Sequence, residues 1–346
     1  MNINVMNPFE PHIPSVFVIS SPFQALCAIT AIKQLQIDDY KIVAFLLPDD
    51  PRNDQLEKYL KSEAIQYTPI RRFNRLIWLY YKLDANRRRH NEYKRLFLGD
   101  FREIILHFIG YRYVSDNSKV IYLDDGNITI SILNDIISEP MNDNNRARLE
   151  RVSKRRGFVY QKNLLTIYGN LENPKYLIKT LDLSYAVSQE NSMYKKSGVF
   201  IVGTNIERFC TPLDISKEAF IGSLKKLISN IKNEYPNERI VYIPHGRDTS
   251  EYALNLCKEY DCEFHKSEIM IELELLDLKI NPLAIFGFTS SALYNIKKIY
   301  PETRVVNVLY ERDDSNIVYQ EYKMLSNFYL NNGIELVTER FNVSQK

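Results

Sequence analysis

The sequence predicts an α/β protein made of two successive βα domains, and three observations predict it. Short apolar runs such as Val120-Ile121-Tyr122-Leu123 stop abruptly in polar residues, here Asp124-Asp125-Gly126. A run that is apolar on both faces marks a buried parallel strand. These runs alternate with segments whose apolar residues recur at helical spacing, the pattern of βαβ units. The alternation lapses in a polar stretch, Gln189 to Gly198, and then restarts. At roughly 100–200 residues per domain, 346 residues suggest two. The expected domains are 1–192 and 193–346, with a ligand cleft between them.

The elements follow in order. Ser15 to Ser20 reads as a strand and Ala25 to Leu35 as a helix. Ser21 before Pro22 suits the helix start, because Pro is tolerated there and a preceding Ser accepts from an unpaired amide. Lys41 to Leu47 reads as a strand and Asp54 to Ser62 as a helix; Glu103 to Phe108, Val120 to Leu123 and Asn163 to Tyr168 read as further strands. Arg71 to Arg95 carries nine Lys/Arg against two acids, interleaved with Phe73, Leu76, Ile77, Trp78, Leu79, Tyr80 and Tyr81. Such a segment suits a surface helix with its aromatics toward the core, or an element lying on an anionic membrane. Arg146, Arg148, Arg151, Lys154, Arg155 and Arg156, after Asn142 to Asn145, read as a mobile loop. It is solvated or, on a cleft rim, meets an anionic acceptor or lipid head group.

The second half opens with the strand Val199 to Val202, running into Gly203-Thr204-Asn205. A helix from Ser216, a suitable N-cap, to Glu234 follows. Arg239 to Ile243 is a strand, Glu251 to Tyr260 a helix and Cys262 to His265 a short strand. Leu283 to Phe288 is a strand, Ala292 to Ile299 a helix and Val305 to Leu309 the last strand. A helix over Ile317 to Leu330 is expected to pack back across the cleft.

Composition excludes several classes. The 45 Lys+Arg nearly cancel 43 Asp+Glu, so there is no global basic field for a dedicated nucleic-acid binder. No run of ~18 apolar residues predicts a transmembrane helix. Met1 to Pro14 lacks the basic and apolar regions of a signal peptide, which points to the cytoplasm. Cys27, Cys210, Cys257 and Cys262 form no Cys-x-x-Cys, so free buried thiols are expected rather than a zinc site. No Walker lysine motif, dinucleotide fingerprint or Gly-x-Ser-x-Gly elbow occurs.

The chemistry-bearing residues stand at strand ends, where open α/β sheets bind ligands. Asp124 and Asp125 repel each other, so one is suited to act as a base. Gly126 lets the chain turn sharply there. The plain alternative is an Asp-Asp-Gly turn that caps the next helix. Ser21 and Gln24 stand at a helix start suited to an anion or a sugar hydroxyl. His245, followed by Gly246 and Arg247, can hold a phosphate, the imidazole donating once and the guanidinium twice; a satisfied structural histidine is the plain alternative. Thr289-Ser290-Ser291 supplies three hydroxyls at a helix start, an anion site beyond what simple capping needs.

The ordered set Ser20-Ser21-Pro22-Phe23-Gln24, Asp124-Asp125-Gly126, His245 and Ser290-Ser291 resembles the motifs of bacterial sialyltransferases. The resemblance is to the lipooligosaccharide sialyltransferases (glycosyltransferase family 52) and the related capsule polysialyltransferases, and it spans Val16 to Leu309. One position departs: Gly246 follows the histidine where the family has proline, and Pro244 precedes it. The resemblance implies a GT-B-type fold, with two Rossmann-like domains facing across a cleft. It implies inverting transfer of a nonulosonic acid (sialic, pseudaminic or legionaminic) from a CMP donor to a cell-surface or lipid-linked glycan in capsule or lipopolysaccharide synthesis. Asp124 or Asp125 would deprotonate the acceptor, beside Ser21, Gln24 and Gly126 on the substrate side. His245, Arg247, Gly203, Thr289, Ser290 and Ser291 would hold the donor phosphate, with no bound metal.

Two competing readings remain: a glycosyltransferase of the same architecture using a UDP-sugar or CMP-Kdo, and a noncatalytic capsule or lipopolysaccharide assembly protein. The acidic pair speaks against the second, since a pure binder needs no positioned base. Contact with the inner face of the cytoplasmic membrane is expected through Arg71 to Arg95.

Overall fold

The computed structural model describes residues 7–71, 74–135, 141–158, 162–186, 194, 196–248, 251–311 and 316–340. The chain divides into two compact units, Met1–Ala186 and Val187–Lys346. Most of the polar stretch 189–198 lies outside the described residues.

In the first unit the strands are β1 (Ser15–Ile19), β2 (Tyr40–Phe45), β3 (Tyr67–Ile70), β4 (Tyr93–Leu98), β5 (Val114–Tyr122), β6 (Lys162–Thr166) and β7 (Tyr176–Thr180). They pair in parallel in the order β3-β2-β1-β4-β5-β6-β7. The helices are α1 (Pro22–Gln34), α2 (Arg52–Ser62), α3 (Arg75–Ala85), α4 (Ile104–Tyr111), α5 (Asn127–Leu133) and α6 (Asp143–Arg156). β1 is buried along its whole length, as a strand covered on both faces must be. Phe17 of β1 stacks on Phe97 of β4 at 4.4 Å. The winding runs outward from β1 to β3, then resumes on the other side of β1 with β4, so the order reverses between β1 and β4. At such a reversal the crossovers leave to opposite faces and open a crevice at the strands' carboxyl ends.

Three expectations fail here. Glu103 to Phe108, read as a strand, belongs to helix α4, whose every residue is buried. A helix apolar all round shows no polar face, so its period is hidden. The true strand is β4, and Arg95, counted among surface cations, lies fully buried in it, donating to Ser15 Oγ (2.9 Å) and the carbonyls of Pro8, Glu10 and Ile13. The arginine cluster of 146–156 is no loop but helix α6. Asn142 caps it by accepting from Asn145 N at 3.0 Å, and Gly157 ends it at φ 68°. Its buried stripe is only Leu149, Val152, Ser153 and Arg156, too sparse and polar to announce a helix.

The second unit repeats the plan with β8 (Val199–Val202), β9 (Ile240–Ile243), β10 (Glu263–Phe264), β11 (Ala284–Gly287), β12 (Arg304–Glu311) and β13 (Glu335–Arg340). All pair in parallel, in the order β10-β9-β8-β11-β12-β13, which reverses between β8 and β11. The helices are α7 (Ile206–Cys210), α8 (Lys217–Glu234), α9 (Tyr252–Glu259), α10 (Ile271–Asp277), α11 (Ser291–Ile299) and α12 (Ile317–Leu330). Ser216 caps α8, accepting from Ala219 N at 3.1 Å. Phe220, Phe288 and Tyr310 form an aromatic core, with centroids 5.2 and 5.7 Å apart along the chain of contacts. β12 is not the last strand: β13 pairs with it as an edge, and α12 packs on both. β13 has only Leu336 and Val337 as apolar residues among charged ones, which is how an edge strand escapes notice.

Candidate functional site

The first cluster stands where β1, β4 and β5 empty into loops. Ser21 accepts from Gln24 N at 3.3 Å and Pro22 takes the first helical position, so α1 starts immediately beyond the sheet edge. This start turns Gln24 back over the edge. Its Oε1 accepts from Ser20 N (2.7 Å), which fixes the amide, and its Nε2 donates to Asp125 Oδ1 (2.9 Å). Gly99, just past β4, makes room: a Cβ there would lie 2.2 Å from Gln24 Oε1. Gly99→Ala is therefore expected to push Gln24 off Asp125 and to lower stability by about 1–3 kcal/mol. Denaturant unfolding checks this, and an unchanged midpoint would mean that Gln24 swings aside freely.

Arg102 forms an ion pair with Asp125 Oδ2 and also grips Asp100, with Nη2 to Oδ2 at 2.9 Å. Two carboxylates thus share one guanidinium. Burial and then the Asp100 charge push the Asp125 carboxyl up to about 7, against the pull of Arg102. The Asp125 side chain retains 17% exposure. Asp124 is wholly buried, accepting from Thr166 Oγ1 (2.6 Å) at the end of β6 and from Ile167 N (2.6 Å) just after it. Burial raises its carboxyl to about 7 as well, opposed by those bonds. Gly126, at φ 66° and ψ −141°, turns the chain into α5, and Thr129 Oγ1 accepts from Asp125 N at 3.1 Å. The two neighbours therefore differ: Asp124 anchors its loop to the end of β6, while Asp125 faces the edge.

The sequence-level candidates Ser21, Gln24, Asp125 and Gly126 come together here. Asp100 and Arg102 were missed, although Leu96-Phe97-Leu98-Gly99-Asp100 carries the same strand-end signature as Leu123-Asp124-Asp125-Gly126. Close by, a cavity of about 520 Å3 is lined by Phe101, Tyr122, Met141, Arg146, Lys162 and Tyr176 among others.

The second cluster stands at the carboxyl edge of β8, β9 and β11. Gly203 follows β8, and a Cβ there would sit 2.4 Å from the Tyr242 hydroxyl, which is paired with Tyr252 Oη at 3.0 Å. His245 Nδ1 accepts from Arg247 N at 3.1 Å, which leaves the imidazole proton on Nε2. Asn205, missed in the sequence, ties the two loops: Nδ2 donates to Arg247 O (3.0 Å) and Oδ1 accepts from Arg208 N (3.0 Å). Thr289 has φ 46°, a strained setting for a β-branched residue. Its N–H is held by Asn307 Oδ1 at 2.7 Å. Ser290 caps α11 by accepting from Ala292 N at 3.3 Å, so one of the three hydroxyls serves the helix itself. A cavity of about 350 Å3 lies beside the His245–Asp248 turn, lined by Asn205, Glu207, Lys217, Asp248 and Tyr252 among others. Among the described residues no group of three His, Cys, Asp or Glu side chains is placed to hold a metal ion.

No protein-family model matches the chain, and no curated protein matches it. Solved structures do. An α/β-galactoside α-2,3-sialyltransferase from Photobacterium phosphoreum is 14% identical, with 94% of this chain and 98% of that one covered, at a TM-score of 0.49. MurG from Acinetobacter baumannii is 12% identical over 94% of this chain and 85% of that one, at 0.44. A putative UDP-N-acetylglucosamine 2-epimerase from Listeria monocytogenes is 10% identical over 92% and 88%, at 0.51. At such identities the likeness is one of fold alone, and it is carried by the third structure, at a TM-score above 0.5: an α/β chain with two parallel sheets.

Proposed function

We propose that the protein is an inverting glycosyltransferase that moves a nonulosonic acid from its CMP donor to a glycan acceptor, with Asp125 as general base. The observation that carries this reading is the Gln24–Asp125–Arg102 cluster at the switch-point edge of the first sheet. A carboxylate poised at about 7 is a far stronger base than an ordinary aspartate, yet substantially ionised at neutral pH. Each Asp125 oxygen spends one acceptor position on Gln24 or Arg102 and keeps capacity for the acceptor hydroxyl. That hydroxyl gives its proton to Asp125 as its oxygen attacks the anomeric carbon; the bond to the CMP phosphate breaks and the configuration inverts. Ser21 and Gly126 lie on the acceptor side. In the second unit His245 Nε2–H, Arg247, the backbone at Gly203 and the Thr289-Ser290-Ser291 helix start hold the phosphate as it gains charge. The ordered motifs support the CMP-linked donor.

The test is thermal unfolding with CMP, UMP, GMP and NAD. A ligand at a hundred times its Kd stabilises by about 2.7 kcal/mol, and CMP alone is expected to do so. His245→Ala should weaken CMP but leave cytidine, which lacks the phosphate, unchanged; Arg247→Ala should do the same to a smaller extent. Equal weakening of cytidine would make His245 a holder of the nucleoside or of the fold. A shift with UMP instead would establish a UDP-linked substrate, the reading favoured by the fold shared with the putative UDP-N-acetylglucosamine 2-epimerase. No shift with any nucleotide would favour a noncatalytic assembly role.

A further inference from the structure

We propose that α3 is an interfacial helix that seats the first unit on an anionic phospholipid bilayer. Its inner face is committed: Tyr81 and Ala85 are buried, Ile77 and Trp78 pack on the same core, and Trp78 meets Phe108 of α4 edge-on at 6.4 Å. Its outer face carries Leu76, Leu79, Tyr80 and Leu83, exposed by 75, 44, 46 and 59%. The spacing i, i+3, i+4, i+7 gathers them into one stripe. Of the ten exposed large hydrophobics among the described residues, four are on this single helix. Scattered exposed leucines are ordinary, whereas a contiguous apolar stripe calls for a partner.

Charge selects the partner. Arg71, Arg75, Arg87 and Arg88 are exposed around the stripe, and Lys82 is half-buried beside it. The Arg112 guanidinium lies 5.3 Å from the Tyr80 ring. Two acids of this region are turned inward and matched by cations, buried Asp84 by Arg87 (3.6 Å), Arg89 and Arg112 (3.9 Å), and Glu57 by Arg71, while Asp54 and Glu92 are exposed. An apolar stripe rimmed by cations fits the boundary between acyl chains and anionic head groups. The helix is about 16 Å long at 1.5 Å per residue, enough to lie in that boundary and far too short to cross it. Among the described residues no helix is long and apolar enough to cross a membrane. Asn74 caps α3 just after β3, so the helix begins at the same sheet edge as Asp125.

The test is cosedimentation of the full chain with phosphatidylcholine vesicles, with and without phosphatidylglycerol. Binding is expected at low salt, to the anionic vesicles, and is expected to weaken as salt rises. Leu76→Asp with Leu83→Asp should abolish it. Arg75→Ala with Arg88→Ala should lower the partition coefficient about twenty-fivefold, at about fivefold per cation. All four positions are exposed, so unfolding midpoints and nucleotide shifts should stay at wild-type values. No binding of the wild type to anionic vesicles at low salt would overturn the proposal. So would undiminished binding by the aspartate pair, or a concentration-dependent dimer of the wild type that the aspartate pair abolishes, which would give the stripe to a second copy of the chain.

Discussion

Asp125→Asn is expected to lower the transfer rate about a hundredfold or more, the scale of losing a general base, with nucleotide affinity unchanged. The substitution is close to isosteric, and its amide oxygen can still accept from Gln24 Nε2, while its Nδ2, a donor, gives up the pairing with Arg102. Folding should tolerate it, because burial and Asp100 already disfavour the charged form of Asp125, and asparagine supplies a permanently neutral one. Arg102 keeps Asp100 as a partner. The same group sets the pH profile. A base must be deprotonated to act, so wild-type turnover should climb as pH rises through about 7 and level off above it. Arg102→Gln removes the cation that opposes the upward shift, so the rising limb should move to higher pH. A merely structural Arg102 would scale the whole profile without moving it. If Asp125→Asn retains full turnover, the acidic pair is only a turn.

The largest stability effect is expected at its neighbour. Asp124→Ala leaves the Thr166 hydroxyl and the Ile167 N–H buried without their acceptor. At about 1–3 kcal/mol for each orphaned group, the loss should reach about 2–6 kcal/mol. Asp124→Asn should be mild, since Oδ1 can accept from Ile167 N while Nδ2 donates to Thr166 Oγ1. The pH dependence has a definite sign. The carboxyl is raised from 3.8 to about 7 in the fold, so the native state binds this proton more tightly than the unfolded chain does. Its contribution is therefore fully present below about 4 and is lost as pH rises through about 7. The asparagine variant has no such proton and should gain on wild type across that window. Urea unfolding of both at pH values on either side of it measures the difference. An alanine variant as stable as wild type, or identical pH slopes for wild type and asparagine, would remove Asp124 from its anchoring role.

The chain's order along the sequence determined a good deal. β1, β8, β9 and β11 were legible as apolar runs because a strand covered on both faces has few polar residues to break it, whereas of β5 only the end at Val120 to Tyr122 was legible, since Ser115 to Lys119 before it are polar. The starts of α1 and α8 were legible because capping is local: Ser21 and Ser216 accept from amides three residues on. Strand-end motifs also pointed to the two edges that carry the clusters, since a strand's carboxyl end is visible in the sequence wherever the apolar run stops.

Tertiary structure decided what depends on distant segments lying side by side. Arg95 was indistinguishable from the surface cations before it, and only the placement of β4 beside β1 buries it among the carbonyls of Pro8, Glu10 and Ile13. Arg102 reaches Asp125 because β4 and β5 are neighbours in the sheet. The opposite fates of Asp124 and Asp125 could not be read from two adjacent identical residues. One meets Thr166 and Ile167 because β6 lies next to β5, and the other keeps its edge in reach of solvent. Propensity and capping act over a few residues, whereas burial and charge pairing are set by what the fold lays against each side chain.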